Sequence, residues 1–208
     1  MQEEKKDEAL LLISGSKGSK DKDKEYAKKV AGAVISCIGK YELAKLRCVG
    51  AASSNNAIKG ITIAKNDLLN SEKPKHILMR PSFTMVQFGE EEKTGIVIEA
   101  VAMDYEKDGN LDRDKAILKV RGSQGNKEAD KEYVKKLANA IQSCFANQGT
   151  ALLRYVGAAG GNNALKSATI AIGEASKNGN TWMIDPSFTV VDFGEEEKTG
   201  MILEIVSV

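Results

Sequence analysis

Histidine and cysteine are scarce in this chain: 208 residues include one histidine and three cysteines. There is no CxxC pair, so the usual ligand set of a structural zinc site is missing. Cys37, Cys48 and Cys144 are odd in number and widely spaced. This argues against a disulfide framework and fits a reducing, cytoplasmic setting. Long apolar runs are also missing. The longest, Ala9–Ile13, has five residues, whereas a membrane-spanning helix needs about 20. The opening MQEEKKDE has no apolar core of the kind a secretory signal carries. Nor does either sign of charge dominate, with 30 basic and 29 acidic residues and a net charge of +1. Divided after residue 103, the chain carries net +3 in the first part and −2 in the second. Neither part is a strongly basic domain, so any nucleic-acid site is expected to be a local patch.

What is present is ordinary globular composition, 42% apolar and 28% charged, and a repeat. At an offset of 107, Asp23–Tyr26 recurs as Asp130–Tyr133, and Arg47–Lys59 (RCVGAASSNNAIK) recurs as Arg154–Lys166 (RYVGAAGGNNALK). Further on the offset falls to 105: PSFT at Pro81 recurs at Pro186, and FGEEEKTG at Phe88 recurs at Phe193. Each copy is much longer than a solenoid repeat and long enough for its own core. We read two homologous domains, 8–103 and 116–208, joined by a charged linker, 104–115. The linker slightly resembles a calcium loop. Aligned on Gly109, however, it has Glu106 at the third position and Lys115 at the twelfth, where that loop needs a bidentate glutamate.

Both copies read alike. Leu10–Ile13 and Ile117–Val120 are short apolar runs, the first strands. Asp23 or Lys24 is expected to open a helix whose apolar stripe is Tyr26, Val30, Val34, Cys37, Ile38 and Tyr41. Ala44–Val49 alternates, a half-buried second strand. Asn55 or Asn56 is expected to cap a second helix beginning at Ala57. Ile77–Met79 and Phe83–Phe88 form a third strand interrupted by Pro81, which places it at an edge or a bulge. Ile96–Val101 is the fourth. The class is α+β: two tandem β-α-β-α-β-β domains, each a four-stranded mixed sheet with two helices on one face. Tyr26, Cys37, Leu46, Ile61, Phe83 and Ile98, with Tyr133, Cys144, Leu153, Ala168, Phe188 and Leu203, are the expected core.

This order, with VAGAVISCI at Val30, VGAASSNNAIKGITIA at Val49 and FGEEEKTG at Phe88, resembles the stage V sporulation protein S family. In the second copy, VGAAGGNNALKSATIAIG at Val156 and FGEEEKTG at Phe193 carry the match. The resemblance implies an Alba-like fold, nucleic-acid binding and, with two copies in one chain, a covalent pseudo-dimer. Alba binds through basic loops and a basic hairpin. Here the hairpin is acidic, with Glu90, Glu91 and Glu92 and again Glu195, Glu196 and Glu197, which repels a nucleic-acid backbone.

The turn between the second strand and second helix is the leading candidate site. A glycine-rich turn feeding a helix presents free N–H groups and the positive end of a dipole to an anion. Around it stand Arg47, Gly50, Asn55, Asn56 and Lys59, and in the second copy Arg154, Gly157, Asn162, Asn163 and Lys166. The plainer reading makes the glycines turn formers and the asparagines caps. The loop after the first strand adds Lys17 and Lys20 as phosphate contacts, interleaved with Asp21 and Asp23. Cys37 and Cys144 sit on the apolar stripe and read as small hydrophobes. His76 aligns with Met183, so no chemistry common to both copies uses it. There is no nucleophile–base pair, no cofactor motif and no metal cluster. We therefore expect no enzyme, no cofactor, no membrane partner and no small-molecule substrate. The first expectation is a cytoplasmic protein that binds nucleic acid, DNA or RNA. The alternative is a structural or adaptor subunit of a large protein assembly, cytoskeletal or microtubule-associated, reusing the fold for protein contacts.

Overall fold

Ala27, Val30, Ala31, Val34 and Cys37 recur every three or four residues, and they form the buried side of the first helix, α1 (Lys20–Tyr41). The computed structural model describes residues 9–208 apart from Gln124, Phe193, Glu195 and the side chain of Phe88. The chain separates into two compact units between Glu106 and Lys107. In the first, α1 follows β1 (Leu10–Ile13) and is followed by β2 (Leu43–Cys48), α2 (Ala51–Leu69), β3 (His76–Phe88) and β4 (Glu91–Met103). In the second, the order is β5 (Ile117–Lys119), α3 (Lys127–Gln148), β6 (Ala151–Tyr155), α4 (Gly157–Lys177), β7 (Trp182–Asp192) and β8 (Glu197–Ser207). Both units are therefore β-α-β-α-β-β and α+β, as the repeat predicts.

Within the first unit the strands lie in the order β1-β2-β4-β3, and within the second β7-β8-β6-β5. β1 runs parallel to β2 with Leu11 beside Leu46, and β5 runs parallel to β6 with Leu118 beside Leu153. The other pairs are antiparallel. β2 alternates strictly: Ala44, Leu46 and Cys48 are buried, while Leu43, Lys45 and Arg47 are half-buried on the opposite face. The core of each unit lies between the helices and the first of these faces. In the first unit it holds Leu46, Ile58, Ile61, Met79 and Ile98, and in the second Leu153, Leu165, Ile184 and Leu203.

Several expectations need correction. α1 opens at Lys20, with the Ser19 side chain accepting from Lys22 N, three residues before the expected start. Asp23 lies in the first turn instead, where its carboxylate holds the preceding loop. α2 opens at Ala51, so Asn55 and Asn56 are helix-interior residues and not caps. The run Ala51–Ser54 carries no turn; its small side chains let the first helical turns pack closely. Pro81 causes no bulge, since β3 and β4 stay in one register from His76–Met103 to Phe88–Glu91. Phe83 and Phe188 are exposed, at 45% and 39%. They share a face with the core but lie on the part of the hairpin arm beyond the helices. Tyr26, Tyr133 and Cys144 are half-buried, and the other expected core residues are buried.

Candidate functional site

The parallel pairing of β1 with β2 brings the β1–α1 loop and the β2–α2 turn to the same end of the first unit. Gly50 leaves β2 with φ 86°, a left-handed conformation that glycine adopts freely, and hands the chain to α2. The opening N–H groups of α2 have no carbonyl one turn back inside the helix. The hydroxyls there do not cap them, because Ser53 Oγ donates to Val49 O (2.7 Å) and Ser54 Oγ to Gly50 O (3.0 Å). Asn56 points inward, its Nδ2 donating to Ser14 O (3.3 Å) and Gly15 O (3.2 Å). It thereby pins the β1–α1 loop to the helix. The second unit repeats this, with Asn163 Nδ2 donating to Arg121 O (3.2 Å). Asn55 is buried beside Asn56, while Asn162 stays half-exposed.

The β1–α1 loop has its own clasp. Asp23 accepts from Lys17 N (2.5 Å) and Ser16 Oγ (2.9 Å), and Gly18 N donates back to Ser16 Oγ (3.2 Å). The Lys17 N–H and then the Ser16 hydroxyl hold the Asp23 carboxyl below the usual range, with a smaller contribution from the charge of Lys59. Ser123 bonds Asp130 in the second unit, and Gly125 N donates to Ser123 Oγ (3.1 Å). Lys17 Nζ sits 4.4 Å from the centre of the Tyr26 ring, whose Oη accepts from Ser14 N (2.9 Å). Arg121 covers Tyr133 at the same distance, 4.4 Å.

Of the residues singled out by sequence, this end gathers Lys17, Lys20, Gly50, Asn56 and Lys59, and in the second unit Gly157, Asn163 and Lys166. It does not gather Arg47 or Arg154. Both lie one residue out of phase with the inward positions of their strands, on the face away from the helices. Arg154 there lines a shallow cavity of about 360 Å³ with Lys119, Val156 and Asp192. Glu90 lies at the tip of the β3–β4 hairpin, and Glu91 and Glu92 belong to β4, with Lys93 3.1 Å from Glu91. Glu195 lies outside the described residues; Lys198 stands 3.1 Å from Glu196.

Sequence reading missed one cluster. Asp185 on β7 and Glu204 on β8 are cross-strand neighbours, and they are 0% and 2% exposed. The segment read as linker supplies their cations. Lys107 Nζ lies 2.6 Å from Asp185 Oδ2 and 2.6 Å from Glu204 Oε2, and Arg113 Nε lies 2.8 Å from Glu204 Oε1. Burial alone pulls the Lys107 pKa down. The hydrogen bonds and charges of the two carboxylates outweigh it and leave the group above the ordinary lysine range. Only the pairing of two carboxylates across one hairpin, at positions 185 and 204, signals this in the sequence.

Among the described residues, no group of histidine, cysteine, aspartate and glutamate has the arrangement of a metal site. No described helix is long and apolar enough to cross a membrane. The fold defines a class: tandem β-α-β-α-β-β units, each with paired loops at the ends of its parallel strands. Residues 22–103 and 127–208 each match the family Stage V sporulation protein S (SpoVS), and the chain belongs to that family as a tandem duplication. None of the curated proteins compared with the chain matches it.

Proposed function

We propose that this protein is a non-enzymatic, cytoplasmic nucleic-acid-binding protein whose two SpoVS units act together as an intramolecular pseudo-dimer. The observation that carries this is the convergence of two helix N-termini with Lys17, Lys20 and Lys59 at one end of the first unit, where the N–H groups that open α2 have no side-chain cap. Such an end attracts phosphate oxygens. The Alba-like order of elements supports the same reading. The acidic hairpins then act as a boundary, keeping the backbone on the loop end.

Charge reversal at Lys59 and Lys166 tests it. If both contact phosphates, the slope of log affinity against log salt falls by roughly 1.8 on duplex DNA, or about 1.4 on single strands. Reversal at Arg47 and Arg154, on the other sheet face, leaves the slope unchanged. A protein with no affinity for DNA or RNA at low salt overturns the proposal. The second reading, an adaptor within a large, cytoskeleton-associated assembly, is favoured by one observation. Phe83 and Met85 in one unit, and Phe188 and Val190 in the other, are exposed apolar side chains at matching positions on the hairpin arms.

A further inference from the structure

The helix-free sheet face of the second unit is already occupied. The segment Lys107–Lys115 is fastened to it through Lys107 and Arg113, which neutralise Asp185 and Glu204. The matching face of the first unit carries the opposite charge. Asp185 is replaced there by Arg80 and Leu152 by Lys45, while Arg154 and Glu204 correspond to Arg47 and Glu99. These four positions sum to +2 in the first unit and −1 in the second. The first face is exposed at Arg80, 54% along its side chain, and at Leu12, 63%; Lys45 and Glu99 are half-buried, and Leu78 on the same face is buried.

We propose that this face of the first unit is a docking surface for an extended acidic segment of a partner protein. The second unit shows the mode within the same fold: a short segment held by side-chain ion pairs. The first unit keeps the seat and inverts its sign. Lys45 and Arg47 are two residues apart on β2, so their charges are spaced at about 7 Å. That matches alternate carboxylates of an extended peptide, with Arg80 two strands away on β3 and Leu12 on β1 offering an apolar contact. A nucleic-acid backbone fits less well. Glu99 stands in the middle of the cations, 2.8 Å from Arg80 and 3.9 Å from Lys45, where it repels phosphate. A peptide avoids it by placing an uncharged residue there.

The test uses the full chain and two labelled nonapeptides, followed by fluorescence anisotropy. One has the sequence of residues 107–115; the other has glutamate in place of its two pairing cations. The acidic peptide is expected to bind and the unmodified one not to. Lys45→Gln with Arg80→Gln, which adds no new buried charge, is expected to weaken the acidic peptide by about tenfold or more. Lys45→Leu with Arg80→Asp, which copies the second unit, is expected to reverse the preference. Circular dichroism checks that each variant is folded. The proposal is overturned if the acidic peptide does not bind, or if the glutamine variant binds it equally. It is also overturned if single-stranded RNA or duplex DNA competes at this face and loses affinity in the same variant, which makes the face a phosphate surface. Binding seen only after removal of residues 1–8 overturns it in favour of the chain's own segment. Lys59 and Lys166 are untouched throughout, so the result is separate from that of the nucleic-acid test.

Discussion

Glu99 and Glu204 are the same residue in the two copies, and the two units satisfy it differently. In the first unit Arg80 answers from the neighbouring strand, at a partly exposed site. In the second the neighbour is Asp185, and the compensating charges come from outside the sheet, through Lys107 and Arg113. A second exchange runs through the core. Cys48, with Ser53 and Ser54, becomes Tyr155 with Gly160 and Gly161. A Cβ at Gly161 would stand 2.7 Å from the Tyr155 ring, so the large residue and the glycines occur together. The duplication thus preserves the backbone while whole neighbourhoods change in concert. A residue's role in one copy therefore cannot be carried to the other without its neighbours.

The largest effect expected from breaking this contrast is at Lys107. Lys107→Ala removes a cation shared by two buried carboxylates, Asp185 and Glu204, and leaves Arg113 on Glu204. Loss of one partner of a buried pair costs about 3–5 kcal/mol, and the low end applies because the Lys107 side chain is partly solvated. Arg80→Ala in the first unit is expected to cost less than about 1 kcal/mol. Urea unfolding followed by amide exchange in each unit measures both; equal costs would erase the distinction. The pH dependence has a definite sign. Lys107 binds its proton more tightly folded than unfolded, so its contribution is complete below the ordinary lysine pKa. It is lost as pH rises through the raised folded value. Exchange protection in β7 and β8 is therefore expected to fall at strongly alkaline pH, and in Lys107→Ala to be lower from the start and to lack this alkaline fall.

Next in size is Gly161→Ala. The gain from replacing a helix-interior glycine, about 1 kcal/mol, is outweighed by overpacking against Tyr155, about 1–3 kcal/mol. Tyr155→Cys combined with Gly161→Ser, which recreates the first unit's pair, is expected to cost less than the sum of the single changes. Additive costs in a double-mutant cycle would show that the two positions changed independently.

The smallest effect sharpens the comparison at a helix end. α1 closes on Glu42 at φ 63°, whereas α3 closes on Gly149 at φ 70°. Glu42→Gly is expected to stabilise the first unit by about 0.5–1 kcal/mol, because a non-glycine residue pays for the left-handed conformation. A loss of stability in thermal unfolding would show that the Glu42 side chain makes a compensating contact.

The element order was legible from sequence because it rests on period. The α1 stripe and the strict alternation of β2 are one-dimensional signals. The start of α2 was hidden because Ala51–Ser54 has no apolar period, and because asparagine and serine ordinarily mark helix ends. The exposure of Phe83 and Phe188 was hidden for another reason: alternation assigns a strand residue to a face but not to a position under or beyond the helices. At the candidate site, Asn56 and Lys59 fell where the loop end lies, but grouping them with Arg47 by chain proximity overlooked the side change along β2. Asp185 and Glu204 were invisible as a buried pair because their cations lie far away in sequence.

The strap from Lys107 to Arg113 also decides how the chain can be divided. By sequence the second copy begins near Ala116, and a fragment cut there keeps every strand and helix of the repeat. It also keeps Asp185 and Glu204 but loses Lys107 and Arg113, the cations that pair with them from this segment. A fragment beginning at Lys107 carries its own counter-charges. The repeat as a sequence unit and the repeat with the cations of this segment therefore differ by nine residues, Lys107–Lys115. Comparing the solubility of the two fragments would show which of the two boundaries folding recognises.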